Sequence, residues 1–470
     1  MSEPRISANA SASSKASANP GEALARTMRQ IYELGLTTTS GGNLSLRADD
    51  GSLWITPAGI DKGELRGDQV ARVMAFDPVE AAAAHDTIDT IDMTDTIDTT
   101  ATEPSSELPF HRAIYAARPD LRAVVHAHPV SLVAFSIAQQ VPDTRVSAFC
   151  HALCGTAGFA AYALPGSPRL GDEIAATFAE GFDSVVLENH GVVVAGATLR
   201  EAFERLEALD LCARTIMRAR AVGEERLLSA DDLALGAEPD RVGASRTPSS
   251  RTDEESTLRQ GLCSLARRAH ARRLVTSRQG ALSARLAGEA FLLTPADLPL
   301  DQLEPSDLLR VNLEDPGPSE SDSRSALFRA LYRAHPEVRA IAHGYGENTA
   351  GFSTAGLPLP ARTIPESYIL VREPGLVLFR EARLNPERVA DVLCPDRPVA
   401  LVQNEGALAL GASILDAFDR LEVLEATAAA VIASGPLGKL APMNDAQLEE
   451  LRKAFFPTGG FQGSPHGGST

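Results

Sequence analysis

The chain has little of what nucleic-acid binding, membrane insertion or a disulfide scaffold requires. Lys and Arg number 44 against 62 Asp and Glu, a formal charge of −18. No long basic stripe runs along it, so the clustered cations that a phosphate backbone needs are missing. No apolar run reaches membrane-spanning length, the mean hydropathy is −0.07, and a soluble protein with small-molecule partners is expected. The first 20 residues are rich in Ser, Ala and Asn but lack the apolar core and cleavage site of a secretory signal, so they read as a disordered tail. Cysteines number five in 470 residues. Cys150 and Cys154 around His151 suggest a metal site or a redox pair, but with no second such cluster the expected reading is buried, reduced thiols in a cytoplasmic protein.

What the chain does have is itself, twice. Ala117-Arg118-Pro119-Asp120-Leu121-Arg122-Ala123-Val124-Val125-His126 recurs as Ala334-His335-Pro336-Glu337-Val338-Arg339-Ala340-Ile341-Ala342-His343, and Ala202-Phe203-Glu204-Arg205-Leu206-Glu207 as Ala417-Phe418-Asp419-Arg420-Leu421-Glu422. An offset near 215 residues is the size of a domain rather than of a solenoid repeat, which points to a tandem duplication. The expected division is a tail over 1–20, a domain over 21–235, a linker rich in Ser, Arg, Asp, Pro and Thr over 236–256, a second domain over 257–455 and a tail over 456–470.

Within the first copy, an amphipathic helix runs from Gly21 to Gly35 and is followed by short β-rich runs at 44–47, 53–56 and 70–76. The repeated Asp-Thr-Ile-Asp-Thr of 86–102 reads as a flexible acidic insertion on a surface loop, with a lid as the sharper alternative. A helix over 107–118 stops at Pro119, a strand spans 123–128, and strands at 184–187 and 192–195 flank the turn Glu188-Asn189-His190-Gly191 as a hairpin. A long helix starts at Thr198 with Glu201 placed for a capping box, and its counterpart starts at Ser413 with Asp416.

The chemistry concentrates in the first copy. His126 and His128 lie two apart on a strand and so share a face, a spacing suited to chelating one ion but also open to ordinary core or surface histidines. His190 offers a third imidazole. Three neutral imidazoles with open positions describe a catalytic rather than a structural zinc site. Glu107, at a helix start, could take a proton from a substrate carbon beside such an ion, or could simply cap its helix. Gly42 and Asn43 in the Ser40-Gly41-Gly42-Asn43 loop, Gly59 after Thr56-Pro57-Ala58, and Ser105 and Ser106 before Glu107 offer groups that could hold an anion; each is also an ordinary turn.

Taken in order, Thr39-Ser40-Gly41-Gly42-Asn43-Leu44-Ser45, Ile55-Thr56-Pro57-Ala58-Gly59, Ser105-Ser106-Glu107, His126-Ala127-His128 and Asn189-His190-Gly191 resemble the class II aldolase/adducin family, which includes fuculose-phosphate aldolase. The resemblance covers about 21–225, with a degraded version over about 257–435. It implies an α/β fold of two tandem class II aldolase-like α/β/α domains, each with a central, mostly antiparallel sheet. It further implies a divalent metal, zinc first, on His126, His128 and His190, with Glu107 as acid/base and Gly42, Asn43, Gly59, Ser105 and Ser106 against a substrate phosphate or carboxylate. The implied activity is aldolase-type cleavage of a carbon–carbon bond in a small hydroxylated, phosphorylated or carboxylated substrate through a metal-stabilised enediolate. Sugar-phosphate epimerase, decarboxylase and a non-catalytic adducin-like scaffold are the alternatives. Ala58 stands where family aldolases tend to carry a hydroxyl, and Val141-Pro142 is followed by Arg145, Val146 and Ser147 where fuculose-phosphate aldolases carry a tyrosine. In the second copy Glu107, His128 and His190 become Arg324, Tyr345 and Glu405, and only His343 remains. The family's fourfold rings imply a homodimer forming a pseudo-tetramer, with the second copy walling the active one.

Overall fold

The computed structural model describes residues 19–73, 103–236, 252–314 and 323–456. Nearly all of both expected tails, the 86–102 insertion, residues 74–76 of the expected third strand and the 237–251 stretch of the expected linker lie outside the described residues. Two compact units divide the chain: Met1–Thr144 with Cys150–Ala213, and Arg145–Phe149 with Arg214–Thr470. No helix among the described residues is long and apolar enough to cross a membrane.

In chain order the first copy runs α1 (Pro20–Glu33), β1 (Asn43–Arg47), β2 (Leu53–Ile55), β3 (Ala71–Val73), α2 (Leu108–Ala117), β4 (Ala123–Ala127), α3 (Val130–Ile137), α4 (Ala148–Cys154), β5 (Gly158–Ala160), α5 (Pro168–Ala179), β6 (Ser184–Leu187), β7 (Gly191–Gly196) and α6 (Leu199–Val222). The sheet order is β3-β2-β1-β4-β7-β6-β5. Every neighbouring pair is antiparallel except β5 with β6, so the sheet is mixed but mostly antiparallel, as the resemblance implied.

The local causes are legible. Asn19 accepts from the Gly21 N–H and Pro20 occupies the first turn of α1, while Leu24, Met28 and Ile31 bury one face. Gly35, at φ +66°, ends the helix: its N–H donates to Tyr32 O and the Leu36 N–H donates to Ile31 O, the paired bonds of a Schellman closure. Arg273, at φ +58°, closes the corresponding helix of the second copy in the same way, its N–H donating to His270 O and the Leu274 N–H to Ala269 O, without glycine's conformational freedom. At the start of α6, the Glu201 N–H donates to Thr198 Oγ1 but the Glu201 carboxylate accepts from Ala197 rather than Thr198. Ser413 and Asp416 repeat this variant of the capping box with Ala412.

Strand β4 is buried at all five positions, the mark of a central strand covered on both faces. Val124 joins the core of Leu108, Phe110, Ile114, Ile174 and Phe178. The two-residue period then brings His126 to the same face, where its ring meets Phe110 edge-on, 5.6 Å between centroids.

After α7 (Ala230–Gly236), the second copy repeats the plan as α8 (Asp253–Ala271), β8 (Ala281–Arg285), β9 (Ala290–Leu293), β10 (Leu309–Asn312), α9 (Ser323–Ala334), β11 (Ala340–Gly344), α10 (Glu347–Ala355), α11 (Pro365–Leu370), β12 (Gly375–Val377), α12 (Phe379–Leu384), α13 (Pro386–Val392), β13 (Val399–Val402), β14 (Ala407–Gly411), α14 (Ile414–Ser434) and α15 (Asp445–Phe455). Its sheet order, β10-β9-β8-β11-β14-β13-β12, is that of the first copy strand for strand. Register agrees as well: Asn43 pairs with His126 and Ala281 with His343.

Candidate metal and acid-base site

The three histidines arrive from two elements. His126 lies near the end of β4 and His128 just beyond it, while His190 occupies the turn between β6 and β7, held by its N–H to Leu187 O at 3.2 Å. Asn189 takes φ +54° in that turn, a conformation asparagine tolerates better than most residues. Glycines let the backbone close around the rings. A Cβ on Gly191 would stand 2.5 Å from His128 Cδ2, and one on Gly41 2.7 Å from His128 Nδ1. Gly42, at φ +71°, would meet His126 O at 2.5 Å.

His126, His128 and His190 each offer a ring nitrogen within 4.8 Å of the others, and no other group of three possible ligands occurs among the described residues. His126 Nδ1 lies 3.0 Å from Val192 O. A carbonyl only accepts, so that nitrogen carries the proton and Nε2 keeps its lone pair for the centre of the cluster. The Nε2 atoms of His126 and His128 stand 3.0 Å apart, near the roughly 3–3.4 Å between neighbouring ligands on an ion with metal–nitrogen bonds of about 2.1 Å. Burial lowers the His126 and His128 pKa values to about 3, helped by the neighbouring imidazoles, and lowers that of His190 against the opposing pull of Glu107. All three are therefore neutral ligands at pH 7, and the donor set fits a divalent ion.

Glu107 stands at the N-cap of α2 but makes no side-chain capping bond. Its carboxylate turns to the histidines instead, with Oε2 3.4 Å from His126 Nε2 and Oε1 3.7 Å from His190 Nε2. Asn43 Nδ2 donates to Glu107 Oε2 at 2.6 Å, and Asn43 Oδ1 lies 2.5 Å from His111 Nε2. The Asn43 amide is thus committed at both ends. Behind His111, Ser45 Oγ is 2.7 Å from Nδ1 and Tyr115 OH is 2.9 Å from Ser45 Oγ. His111, Ser45 and Tyr115 are fully buried; Ser45 ends the first of the resemblance motifs without a role assigned to it, and His111 and Tyr115 were not picked out in the sequence.

Of the expected anion-holding residues, Gly42 and Asn43 are brought beside His126 by the β1–β4 pairing. A bridge between Pro57 and Pro104, with Ala58 N–H donating to Glu103 O at 3.3 Å, carries the Gly59 loop alongside Ser105 and Ser106. Ser105 is buried, its Oγ accepting from the Glu107 N–H at 3.3 Å; Ser106 and Gly59 are exposed. Lys62 also went unread. It is 2% exposed, its backbone N–H donates to Thr39 O and its Nζ to Pro57 O at 2.7 Å, so it ties two of these loops together. Burial lowers its pKa and the Glu107 charge opposes that shift.

In the second copy the same place is closed by an ion pair. Arg383 Nη2 lies 2.6 Å from Glu405 Oε1, Tyr345 OH donates to Glu405 Oε2 at 2.8 Å, and His343 Nε2 donates to Glu405 O at 2.6 Å. The cysteines Cys150 and Cys154 are buried and form no disulfide, their sulfurs 3.9 Å apart.

An acid effect follows from the buried histidines. His126 and His128 have folded pKa values of about 3, His343 about 4, and His111 lies well below the usual value because of burial and the adjacent His126. The unfolded chain binds these protons near pH 6.5, whereas the fold refuses them until far lower pH. Their contribution is therefore complete above about pH 6.5 and lost as pH falls from there to about 4 for His343 and about 3 for His126 and His128, by roughly 1 kcal/mol per pH unit for each histidine. The urea midpoint of metal-free protein should be lower at pH 5 than at pH 7; an unchanged or higher midpoint at pH 5 would contradict the buried, neutral assignment.

Comparison with known proteins places this geometry in a family. The model for "Class II Aldolase and Adducin N-terminal domain" matches residues 22–217 and again 260–432. Among curated relatives, a 3-oxo-tetronate 4-phosphate decarboxylase of Pectobacterium atrosepticum is 31% identical over 211 residues, covering 43% of this chain and 86% of its own. A 5-methylthioribulose-1-phosphate/5-deoxyribulose-1-phosphate aldolase of Rhodospirillum rubrum is 31% identical over 211 residues, 44% of this chain and 83% of its own. An L-fuculose phosphate aldolase of Escherichia coli is 28% identical over 215 residues, 44% and 88%. Each aligns with less than half of this chain.

Proposed function

Because the chain belongs to the class II aldolase and adducin N-terminal domain family, we propose that its first copy is a divalent-metal-dependent carbon–carbon lyase of the aldolase type. The substrate is a small phosphorylated ketose or keto acid, and Glu107 is the acid/base. The observation that carries this reading is the Glu107 carboxylate, free of any capping duty and set 3.4 and 3.7 Å from two of three convergent imidazoles. The names of the relatives support the substrate class, since each is a phosphorylated ketose or keto acid.

His126, His128 and His190 would hold the ion, zinc first. When bound it supplies Lewis-acid stabilisation of negative charge on a substrate carbonyl oxygen. Gly42, Gly59, Ser105 and Ser106 with the Asn43 main chain receive the phosphate or carboxylate end, and Lys62 beneath them adds positive charge. That fixes the reacting carbon in front of Glu107. In the cleavage direction the carbon–carbon bond breaks, its electron pair moves towards the carbonyl oxygen, and the hydroxyl of the departing carbon loses its proton to solvent as it becomes the aldehyde. Glu107 then delivers a proton taken up from solvent to the carbon that remains. Removing that proton again, in the synthetic direction, is the reverse step. Decarboxylation is the second reading, favoured by the Pectobacterium relative: carbon dioxide leaves in place of an aldehyde, and the carbon is protonated in the same way. Two chains assemble as a pseudo-tetramer of four aldolase-like domains in a cytoplasmic enzyme; a strictly monomeric, fully active protein would overturn that assembly.

The test is a screen of metal-loaded protein against ketose phosphates and phosphorylated 3-oxo acids. Aldehyde release supports the leading reading and carbon dioxide the second. An isomer of unchanged mass transfers the protein to the epimerases. No turnover together with no bound metal leaves the adducin-like scaffold.

A further inference from the structure

The hydrogen bonds behind Glu107 have a single consistent direction. An ionised carboxylate only accepts, so the Asn43 atom facing Glu107 is the amino group and the atom facing His111 is the carbonyl. An amide carbonyl needs a donor, so His111 carries its proton on Nε2. In the neutral ring Nδ1 is then an acceptor, filled by the Ser45 hydroxyl, and Ser45 Oγ in turn accepts from Tyr115 OH. Burial and the nearby His126 keep the His111 ring neutral, which agrees with this order. Each of these donors points towards Glu107, with Tyr115 OH also 3.3 Å from Arg122 O.

The second copy shows which links serve the fold and which serve the carboxylate. Strand register matches Ala281 to Asn43 and Ser283 to Ser45. Along α9, counted from Arg324 at the position of Glu107, Phe328 matches His111 and Tyr332 matches Tyr115. The far end of the chain survives there, with Ser283 Oγ 2.7 Å from Tyr332 OH. The near end is gone: where the glutamate has become arginine, both Asn43 and His111 have become apolar. Phe328 is fully buried, so the site tolerates a hydrophobic ring.

From this we infer that His111 is a positioning residue, whose Nε2–H fixes the Asn43 carboxamide so that its amino group holds the Glu107 carboxylate against the histidine cluster. The inference rests on the proposed role of Glu107 as base. It assigns the Asn43 side chain to the carboxylate, leaving only its main chain for the substrate's anionic end.

The experiment substitutes His111→Phe, the residue of the second copy, in the full-length metal-loaded protein. Dihydroxyacetone phosphate in deuterated water is the probe, because exchange of its hydroxymethyl hydrogen reads proton abstraction without needing the natural substrate. Exchange should slow by roughly 100-fold, the scale of a 1 Å misplacement of a reacting group. Half-saturation by the probe and metal content should stay at the wild-type level. His111→Gln, which restores a donor towards Asn43, should recover most of the rate. Exchange by His111→Phe at the wild-type rate, or a loss confined to probe affinity or metal content, overturns the inference. Nitrogen-15 spectra of metal-free protein give a readout independent of turnover: the His111 Nε2–H should be slow to exchange in wild type and fast in Asn43→Ala. A ring protonated on Nδ1 alone overturns the inference even if wild type exchanges nothing, whereas absence of exchange in wild type with the expected ring protonation removes the function and leaves the positioning intact.

Discussion

Bound metal should fall from about one divalent ion per chain to none in the His126→Ala/His128→Ala variant, with turnover dropping to the level of chelated wild type. Elemental analysis of the two purified proteins makes the measurement. One ion, rather than two, is expected from the chemistry of the copies. The first presents three neutral imidazoles converging on one point. In the second, Arg383 already supplies a cation, bound to the carboxylate at the position of His190, and Tyr345 spends its hydroxyl on the same group. A divalent ion there would sit against a guanidinium with one imidazole for support, and that imidazole's Nε2 donates to Glu405 O. The activity loss should exceed the roughly 100- to 1,000-fold that removing a single oxyanion donor costs, because the whole centre of positive charge goes. Two ions per chain, or a variant that keeps its ion, would contradict the assignment.

What could be read in advance divides along lines of range. Elements whose pattern is local were legible: the α1 periodicity ending at Gly35, the His-x-His strand at β4, the hairpin around His190 and the caps at Thr198 and Ser413. The segment between His128 and Ser184 was not. Its helix α3 is a short, mostly apolar run broken only by Ser131 and Ser136, which does not distinguish helix from strand, and β5 is three residues long and paired in parallel with β6, so no hairpin turn announces it. The ligands were legible because they carry unusual chemistry at strand and turn spacing. Their supports carry ordinary residues. A signal existed nonetheless: Glu107, His111 and Tyr115 follow the i, i+4 spacing that shares one helix face, and Asn43 and Ser45 the i, i+2 spacing that shares one strand face. Two such stripes facing each other are a hydrogen-bonded seam, but a single sequence does not say that β1 and α2 meet. Lys62 had no signal, since an isolated lysine is ordinarily solvated and only the tertiary fold buries this one.

Glu107→Gln should lower kcat by about 100- to 10,000-fold, the range for loss of a general acid/base, while metal content and KM stay close to wild type. The substitution keeps the shape of the side chain. Its carbonyl can still accept from Asn43 Nδ2, so the Tyr115–Ser45–His111–Asn43 chain need not rearrange. The three imidazoles remain, so the ion remains. What disappears is the basic lone pair facing the substrate carbon and the negative charge that opposes the lowering of the His190 and Lys62 pKa values. Both imidazole and ammonium then lose a favourable partner, so His190 becomes harder still to protonate and stays a neutral ligand. A fall in kcat with the ion retained assigns the chemistry to the carboxylate. Loss of the ion along with kcat would make Glu107 chiefly a metal ligand. Turnover within tenfold of wild type would remove Glu107 from the acid/base role.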